Sequence, residues 1–568
     1  MIARMSESRD NRAGRQIAAH LLLLTLVGVV TLVPGSGTLP LMDRDEPRFA
    51  RATIEMQQSG DWIVPHFNGQ YRFDKPPLTY WLMSVGYRLF GPTEFGARFH
   101  SILASVLTAF ALYGMGRRGF SPLTGLVAGF AWLTSLQVLL HGRGAVADPT
   151  LVLCVVVSQW SLFELLGGAE PTHGARWRWA LWVSLGLGFL AKGPIALAVP
   201  LLSLALFRGM LGAPLPWRRL GAIWGVPVLL LIVGAWGLPA LWLTRGAFWS
   251  GGMGKHVVER GVRAWNSRFF LPVFYYPITF FTSLFPWSAF VGRAIARARP
   301  LREPRPAFLV AWFLAPMILF SLYATQLPHY TMPGFPAALL LTAWAITDPP
   351  ANRNSARIIF FIVTAFLAAI AVALGAFATA WPLPVLPDLR WAFIGAAAVL
   401  LALTGLGLCF ALGRAHWAWL PLAAVALGFA AVGHGLRSVH PAIRACARRP
   451  AGPADAHIAA YRFTEPSLVF YGRLRDRNWT MLDSPDALRA WSEESRGARA
   501  VLALERETKL ADFLRAGTPE DPRATGRDFA AELAPLRRAG FTPGREIEGF
   551  NSGRGAWVLL RWWTAPEH

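Results

Sequence analysis

Long apolar segments recur along almost the whole chain, and they constrain its fold more than any other feature. A helix needs about 20 mainly apolar residues to cross roughly 30 Å of hydrocarbon, and shorter spans are tolerated where the bilayer thins. The 568 residues are 54% hydrophobic and only 15% charged, which is too apolar for ordinary soluble domains. We therefore expect a mainly α-helical, polytopic membrane protein with about 13 transmembrane helices. The predicted spans are residues 17–33, 99–116, 123–140, 150–166, 179–191, 194–207, 220–243, 271–291, 308–323, 330–346, 358–377, 391–412 and 417–434.

Arginines between these spans predict the orientation. The short linkers on one side of the membrane are rich in Arg, and the positive-inside rule makes that side cytoplasmic. The amino terminus is also basic and is expected on the cytoplasmic face of a cell inner membrane. Its basic start and first apolar run resemble a secretory signal, but no A-x-A cleavage site follows before Asp43, so we expect an uncleaved anchor. An odd number of spans then makes the carboxyl terminus periplasmic.

Two domains are expected. Residues 1–435 form the transmembrane domain, with a first long periplasmic loop at 34–98 and a second at 244–270, and residues 436–568 form a small soluble α/β domain in the periplasm. The elements predicted in this second domain are strands at 467–471, 500–503 and 556–560 and helices at 486–494 and 508–516.

The net charge is +22, from 55 Lys and Arg against 33 Asp and Glu. Apolar runs interrupt the basic residues, which argues against nucleic-acid binding and favours contact with anionic membrane lipids or phosphate-bearing substrates. Both long periplasmic loops carry several cations although the positive-inside rule disfavours them there. Long loops can cross a membrane regardless of charge. We favour the other explanation, that a phosphate-bearing substrate is bound on this face.

The first loop holds the strongest candidates for chemistry. Asp45 and Glu46 follow the first span directly, where an acidic cluster is more often a cap or an ion-pair partner than a catalyst. Asp74 and Lys75 come next, before two prolines that stiffen the chain. Only four of the 55 basic residues are lysines, so a lysine in this loop is either a point charge aimed at phosphate or the product of drift.

Further candidates lie beyond the first loop. A proline follows Asp148, which is typical of a helix N-cap, and the residue can serve as cap and acidic site together. Lys192 lies at a predicted hairpin tip, where snorkelling to the interface explains it as well as function does. His256 and Arg260 are four residues apart, so on a helix they share a face and could grip one anion. His329 is either a polar residue of a tight outer turn or a substrate contact.

Familiar nucleotide and hydrolase motifs are missing from the sequence. It has no Walker or Rossmann glycine pattern on a strand-to-helix turn, no H-E-x-x-H and no G-x-S-x-G. Nucleotide hydrolysis is therefore disfavoured. An activated sugar used on the periplasmic face would arrive attached to a lipid, because nucleotide sugars are supplied in the cytoplasm.

Short motifs follow one another in a recognisable order. They are DE at 45–46, GDWIVP at 60–65, DKPPL at 74–78, ADP at 147–149, LAKGP at 190–194, FPWS at 285–288, LPHY at 327–330 and PSLVFY at 466–471. Together they resemble the 4-amino-4-deoxy-L-arabinose lipid A transferase family, which uses undecaprenyl-phosphate sugars and is related to protein O-mannosyltransferases. The resemblance implies a glycosyltransferase C type fold. It also implies transfer of a sugar from a polyprenyl-phosphate donor to lipid A or a related periplasmic acceptor.

The resemblance also implies residue roles. Asp45 matches the catalytic or acceptor-orienting carboxylate and Asp148 the second acidic site, and Glu46 is grouped with them. The residues expected to hold the donor phosphate are Lys75, Arg48, Lys192, Arg260 and His256, and those expected to contact substrate are Tyr80, His329 and Tyr330. No cofactor is required by the pattern. A divalent metal at Asp74 is left open, because members of the family carry Glu at that position.

The residue types suit a single-displacement, inverting transfer. Phosphate is a good leaving group, so cations replace the general acid that glycoside hydrolysis needs. Asp45 would act as general base on a hydroxyl acceptor, or would orient the complex if the acceptor is a phosphate. The alternatives are a protein O-mannosyltransferase-like enzyme with a protein acceptor, a lipid-linked sugar transporter or flippase, and an assembly subunit. A transporter should show internal repeats and polar groups near the midplane, whereas the charges here cluster on one face.

Overall fold

The computed structural model describes residues 2–167, 174–212, 217–263, 272–298, 303–348, 354–380, 387–450, 457–472, 479–494, 499–509, 512 and 526–565. Its α-helices are α1 Ile2–Leu32, α2 Glu46–Ser59, α3 Leu78–Phe90, α4 Glu94–Gly119, α5 Pro122–Thr134, α6 Leu136–His141, α7 Asp148–Leu166, α8 Gly174–Lys192, α9 Ile195–Met210, α10 Ala222–Leu243, α11 Arg260–Val262, α12 Pro272–Ser283, α13 Val291–Ala298, α14 Pro304–Ser321, α15 Phe335–Thr347, α16 Asn354–Ala380, α17 Leu389–Ala411, α18 Trp419–Val439, α19 Pro441–Ala447, α20 Pro466–Gly472, α21 Pro485–Glu494 and α22 Ala534–Arg538. A π-helix covers Trp249–Glu259, and 3-10 helices cover Trp287–Phe290, Pro328–Gly334, Ala415–Trp417 and Ala530–Leu533.

Every predicted span overlaps at least one of these helices. Within the described ranges, eight helices are long and apolar enough to cross a membrane. Only 11% of the apolar window in α10 and 22% of that in α16 is buried inside the protein. The prediction of a multi-span, mainly α-helical membrane protein is confirmed, whereas the number 13 stays a prediction.

The third and eighth predicted spans are not continuous helices. The expectation of one helix over the eighth span is wrong, because Pro286 has no N–H to continue the ladder and the chain breaks there. The break between α5 and α6 lies beside it, and the Leu136 N–H donates to the Phe285 carbonyl at 3.0 Å. The Trp287 indole N–H donates to the Thr134 hydroxyl at 2.9 Å. Each broken helix therefore satisfies polar groups that the other break leaves open, as a lipid environment requires.

Two buried arginines fix the chain between α1 and α2. The Arg98 guanidinium donates to the carbonyls of Ser36 at 2.8 Å and Leu39 at 2.5 Å. Arg143 donates to the Pro34 carbonyl at 2.7 Å and to the Thr31 carbonyl near the end of α1. The last carbonyls of a helix lack intrahelical partners, and these cations supply them. The segment that leaves the membrane is thus held in one conformation.

The carboxyl-terminal domain is built on a mixed sheet. The strands of the chain are β1 His66–Phe67, β2 Gln70–Tyr71, β3 His457–Tyr461, β4 Thr480–Leu482, β5 Arg499–Lys509, β6 Arg527–Asp528, β7 Thr542–Asn551 and β8 Ala556–Thr564. β1 and β2 form a small hairpin in the first loop, and the large sheet has the order β4-β3-β5-β8-β7 with β6 paired to β5. β3 is parallel to β4 and β5, and the other pairs are antiparallel. This sheet with its flanking helices is the α/β architecture expected for the domain.

Three predicted elements of this domain are confirmed and one, the strand at 467–471, is wrong. The strands at 500–503 and 556–560 lie within β5 and β8, and the helix at 486–494 lies within α21. The segment 467–471 is the helix α20, because its Leu468 and Val469 pack into the sheet core while Phe470 packs towards α2, a distribution that a strand period does not give. Thr508 and Lys509 continue β5, and most of the helix expected at 508–516 lies outside the described residues.

The helix α18 lies at the predicted domain boundary. It continues to Val439, so the predicted division between residues 435 and 436 falls inside this helix, and α19 follows it. α18 packs closely against α17, where a Cβ on Gly395 would lie 2.4 Å from the Gly428 carbonyl oxygen. Small residues at this crossing let the two backbones touch.

Candidate active site

Asp45 stands at the amino-terminal end of α2. It occupies the N-cap position, but its side chain makes no capping hydrogen bond and is exposed. Its carbonyl accepts the Arg48 and Phe49 N–H groups at 3.1 and 3.2 Å, which fixes the backbone. Within the described residues, no side-chain hydrogen bond or ion pair occupies the Asp45 carboxylate. The backbone at Asp45 is therefore fixed, and its carboxylate is open to a substrate.

Glu46, the next residue, is in the opposite situation. Its carboxylate is buried and accepts two hydrogen bonds from the Arg98 guanidinium, at 2.9 and 2.8 Å. It also accepts the backbone N–H groups of Met42 at 2.7 Å and Ala145 at 2.6 Å. Four donors leave little capacity for a substrate. This geometry favours a structural role for Glu46 over the catalytic role expected from the sequence.

Arg72 organises the cations beside Asp45. Its guanidinium pairs with the Asp74 carboxylate at 2.8 Å and donates to the Tyr80 hydroxyl at 3.0 Å. Burial, together with the charge of Arg72, lowers the pKa of Arg48, whereas Asp74 and Asp45 oppose the shift. Tyr80 is completely buried under this cluster, so its predicted contact with substrate is not favoured by the structure. Sequence reasoning missed Arg72, because nothing local distinguishes it from the other loop arginines.

Asp74 was the candidate metal position. Its carboxylate is held by Arg72, and within the described ranges no group of three or more His, Cys, Asp or Glu side chains could hold a metal ion. The residues around Asp74 therefore do not form a ready metal site. Asp74 instead neutralises a cation.

Asp148 forms a second, buried cluster. The structure assigns the helix N-cap to Ala147, and the Asp148 carboxylate instead pairs with the Lys192 ammonium at 2.5 Å. The same ammonium lies 5.5 Å from the centre of the Tyr330 ring, a distance that allows a cation–π contact. Both partners of the ion pair are largely buried. Lys192 thus points into the site rather than snorkelling towards the bilayer surface.

Two histidines cover this ion pair. The rings of His141 and His329 lie 4.6 Å apart between centres, and burial lowers the pKa of His329 to about 3 although Asp148 opposes the shift. His329 is therefore neutral at pH 7. The Gln137 side chain is 2.8 Å from Nδ1 of His141 and accepts the Ser283 hydroxyl at 3.2 Å. His141 was missed as a site residue, although it lies only seven residues before Asp148 in the same outer segment.

An apolar cavity of about 170 Å³ opens between the first loop and α8 and α10. Its walls include Phe73, Phe189, Trp236 and Phe248, and both Lys75 and Lys192 contribute to the lining. The Lys75 ammonium donates to the Asp74 carbonyl at 3.0 Å. The fold therefore brings together two lysines that are 117 positions apart in sequence. The side chains of His256 and Arg260 lie outside the described residues.

Comparison with known proteins shows which proteins this chain resembles. Residues 74–236 match a family model described as dolichyl-phosphate-mannose-protein mannosyltransferase. The undecaprenyl phosphate-alpha-4-amino-4-deoxy-L-arabinose arabinosyl transferase of Edwardsiella ictaluri is 31% identical over 365 residues, or 61% of this chain and 62% of that protein. The transferase 2 of the same name from Proteus mirabilis is 30% identical over 425 residues, or 72% of this chain and 74% of that protein. The matches to the first three such relatives span less than two thirds of their length, at 60% to 64%.

Two solved structures share the fold. ArnT from Cupriavidus metallidurans bound to undecaprenyl phosphate superposes with a TM-score of 0.73 and 20% identity, covering 95% of this chain and 97% of that one. The archaeal oligosaccharyltransferase AglB from Archaeoglobus fulgidus gives a TM-score of 0.51 and 13% identity, covering 86% of this chain and 69% of that one. These likenesses confirm the glycosyltransferase C type fold.

Proposed function

The chain belongs to the undecaprenyl phosphate-α-4-amino-4-deoxy-L-arabinose arabinosyl transferase family, and from that premise we propose that it transfers a sugar from a polyprenyl-phosphate donor to a periplasmic acceptor. The proposed sugar is 4-amino-4-deoxy-L-arabinose, which the names of the relatives specify. The proposed acceptor is lipid A, which follows from the resemblance of the sequence motifs to the lipid A transferase family. The observation that carries this proposal is one open carboxylate, Asp45, beside a group of cations and an apolar cavity.

The donor fits the cavity by its chemistry. The apolar walls suit the first isoprene units of a polyprenyl chain, and the ammonium groups of Lys75 and Lys192 at the lining suit the phosphate. Arg48, held near Arg72 and Asp74, adds a third positive charge on the same side. His256 and Arg260 remain predicted phosphate contacts.

The proposed reaction is a single displacement. The acceptor oxygen attacks the anomeric carbon while the bond to the polyprenyl phosphate breaks, and the configuration at that carbon is inverted. Lys75, Lys192 and Arg48 stabilise the negative charge that develops on the leaving phosphate, so a general acid is not needed. An acceptor phosphate is already a nucleophile, and Asp45 then orients the complex or stabilises positive charge on the sugar. If the acceptor is a hydroxyl, Asp45 removes its proton.

The buried cluster around Asp148 also contributes to the proposed reaction. Asp148 holds Lys192 by its ion pair, and neutral His329 and Tyr330 lie beside the pair, where they can contact the sugar. Asp148 is thus proposed as a positioning acid rather than as a base. No step uses a metal at Asp74, since that carboxylate is paired with Arg72.

The proposed membrane topology follows from the distribution of charge along the sequence. The amino terminus lies in the cytoplasm, and the site, the long loops and the carboxyl-terminal domain lie in the periplasm, on the outer face of the inner membrane. Lipid-linked sugars exposed on that face are the donors that remain once nucleotide sugars are excluded by location.

Mass spectrometry of lipid A tests the proposal. Cells with the gene should carry an added aminopentose mass on lipid A, and cells without it should not, with wild-type complementation restoring the mass and Asp45→Asn failing to do so. A hexose on periplasmic proteins would instead favour the mannosyltransferase described by the family model. Unchanged lipid A and unchanged proteins in both strains would contradict a transferase.

A further inference from the structure

The carboxyl-terminal domain contacts the segment that carries Asp45. The Asp43 carboxylate accepts the backbone N–H of Ser467 at 2.9 Å and the Ser467 hydroxyl at 2.5 Å, both at the start of α20. Both oxygens of Asp43 are thereby used by one residue of the other domain. Asp43 is two residues before Asp45, so this contact fixes the backbone immediately before the open carboxylate.

A second contact lies next to the first. The Arg44 guanidinium is 3.8 Å from the carboxylate of Glu465, which is almost completely buried and also pairs with Arg554. The turn that contains Arg554 approaches closely, and a Cβ on Gly553 would lie 3.0 Å from the Asp43 carbonyl oxygen. The domain therefore contacts two consecutive residues, Asp43 through the hydrogen bonds from Ser467 and Arg44 through the opposite charge of Glu465.

The other side of Asp45 is anchored independently. Glu46 is bound to Arg98 and to two backbone N–H groups of the transmembrane domain. Asp45 thus lies between an anchor in the transmembrane domain and an anchor in the carboxyl-terminal domain. The Asp45 carboxylate is exposed and makes no side-chain hydrogen bond or ion pair with the described residues, so its position depends on these two anchors.

We propose that the carboxyl-terminal domain positions the Asp45 carboxylate for the transfer step, with Ser467 and Glu465 as positioning residues that act through Asp43 and Arg44. This inference rests on the proposed role of Asp45. It gives the carboxyl-terminal domain a role in the transfer reaction, by positioning a reacting group. A displacement of about 1 Å in a reacting group can cost up to about 100-fold in rate, so modest loosening of this anchor should reduce turnover.

Ser467→Ala tests the proposal in the full-length protein, in detergent or reconstituted vesicles. The variant loses the hydroxyl donor and keeps the N–H donor, so kcat should fall about 10-fold while the KM for the lipid-linked donor stays unchanged. Ser467→Thr keeps the hydroxyl and should restore most of kcat. The melting temperature of each variant separates mispositioning from unfolding.

The matched control breaks an interdomain contact elsewhere. The Asn68 side chain donates to the Trp479 carbonyl and accepts the Trp479 N–H, both at 2.9 Å, and contacts neither residue beside Asp45. Asn68 has a φ of 53°, which glycine tolerates, so Asn68→Gly removes both bonds without backbone strain. Its kcat should equal that of the wild type.

The outcomes separate the two proposals. Wild-type kcat in Ser467→Ala, or equal losses in Ser467→Ala and Asn68→Gly, would overturn the positioning role while leaving the transferase intact. Full activity of Asp45→Asn would overturn the assigned role of Asp45, and the positioning role with it. Absence of any transfer by the wild-type protein would instead overturn the proposed function.

Discussion

The two acidic residues that the sequence placed on the outer face, Asp45 and Asp148, are held in opposite ways. Asp45 is exposed and, within the described part of the chain, makes no side-chain ion pair, whereas Asp148 is buried and paired with Lys192 at 2.5 Å. Both are aspartates, and both are predicted to lie on the outer face. The difference shows that equivalence in sequence does not make two carboxylates equivalent in chemistry: a neutralised carboxylate can hold a cation, and only an open one can act on an acceptor.

The same contrast separates Asp45 from its neighbour Glu46. Glu46 receives four hydrogen bonds from inside the protein, and its burial and its pairing with Arg98 account for them. We propose that one carboxylate of the pair orients the chain so that the other can face the substrate. The substitutions below can break or sharpen this division, and they are taken in order of decreasing effect.

Asp45→Asn should have the largest effect on activity. It removes the negative charge and leaves a side chain of the same size, so kcat should fall by about 1,000-fold, within the range that a general base contributes. Because Asp45 is exposed, the melting temperature should not change. Steady-state transfer assays in membranes, paired with thermal unfolding in detergent, provide both measurements. Undiminished turnover would end the assignment.

Lys192→Met should slow transfer, because its ammonium is proposed to stabilise the leaving phosphate, and it should also destabilise the fold. It leaves the Asp148 carboxylate buried without its cation, which should lower the free energy of unfolding by about 3–5 kcal/mol. The double variant Asp148→Asn, Lys192→Met removes both charges and should recover much of that loss. Thermal unfolding of the purified protein compares the three forms. Equal stability of Lys192→Met and wild type would show that the pair is not the neutralised unit described here.

Lys75→Ala should affect donor binding more than turnover. Loss of one charged hydrogen bond to phosphate costs about 1.5–3 kcal/mol, so the KM for the donor should rise about 10- to 100-fold. Lys75→Arg keeps the charge at the cavity and should recover part of this affinity. Titration with polyprenyl phosphate alone measures the same loss without turnover. An unchanged KM in Lys75→Ala would show that this cavity is not the binding site of the donor.

The membrane-embedded part of the protein could be predicted well from sequence. Lipid leaves no alternative to long apolar helices, so composition alone located them. The failures lie where a contact spans the chain or a run is too short. Pro286 interrupts the eighth span, and this break packs beside the break between α5 and α6. Residues 466–472 form a helix whose side chains pack into two different core clusters.

The residues of the candidate site also divide into those that local motifs predict and those that they do not. Asp45, Lys75 and Asp148 stand in recognisable local motifs and could be proposed from them, whereas Arg72 has no distinguishing neighbours. The contact between Asp43 and Ser467 joins residues 424 positions apart. Local periodicity carries no information about pairs at that separation, so only the fold reveals what holds the open carboxylate.

The smallest expected effect concerns the pH dependence of this interdomain contact. Burial raises the pKa of Asp43 from its ordinary 3.8 to about 7, with Glu465 adding to the shift and Ser467 and Arg48 opposing it. The docked form therefore binds more protons than the undocked form between these pH values. Its stability should decrease as the pH rises from about 4 to about 7 and level off above. Hydrogen exchange of the segment around Asp43 should accordingly be faster at pH 7.5 than at pH 5.5 after correction for the intrinsic rate. Asp43→Asn cannot titrate and should make the corrected exchange independent of pH. A wild-type profile as flat as that of the variant would show that the interdomain contact does not depend on the charge of Asp43.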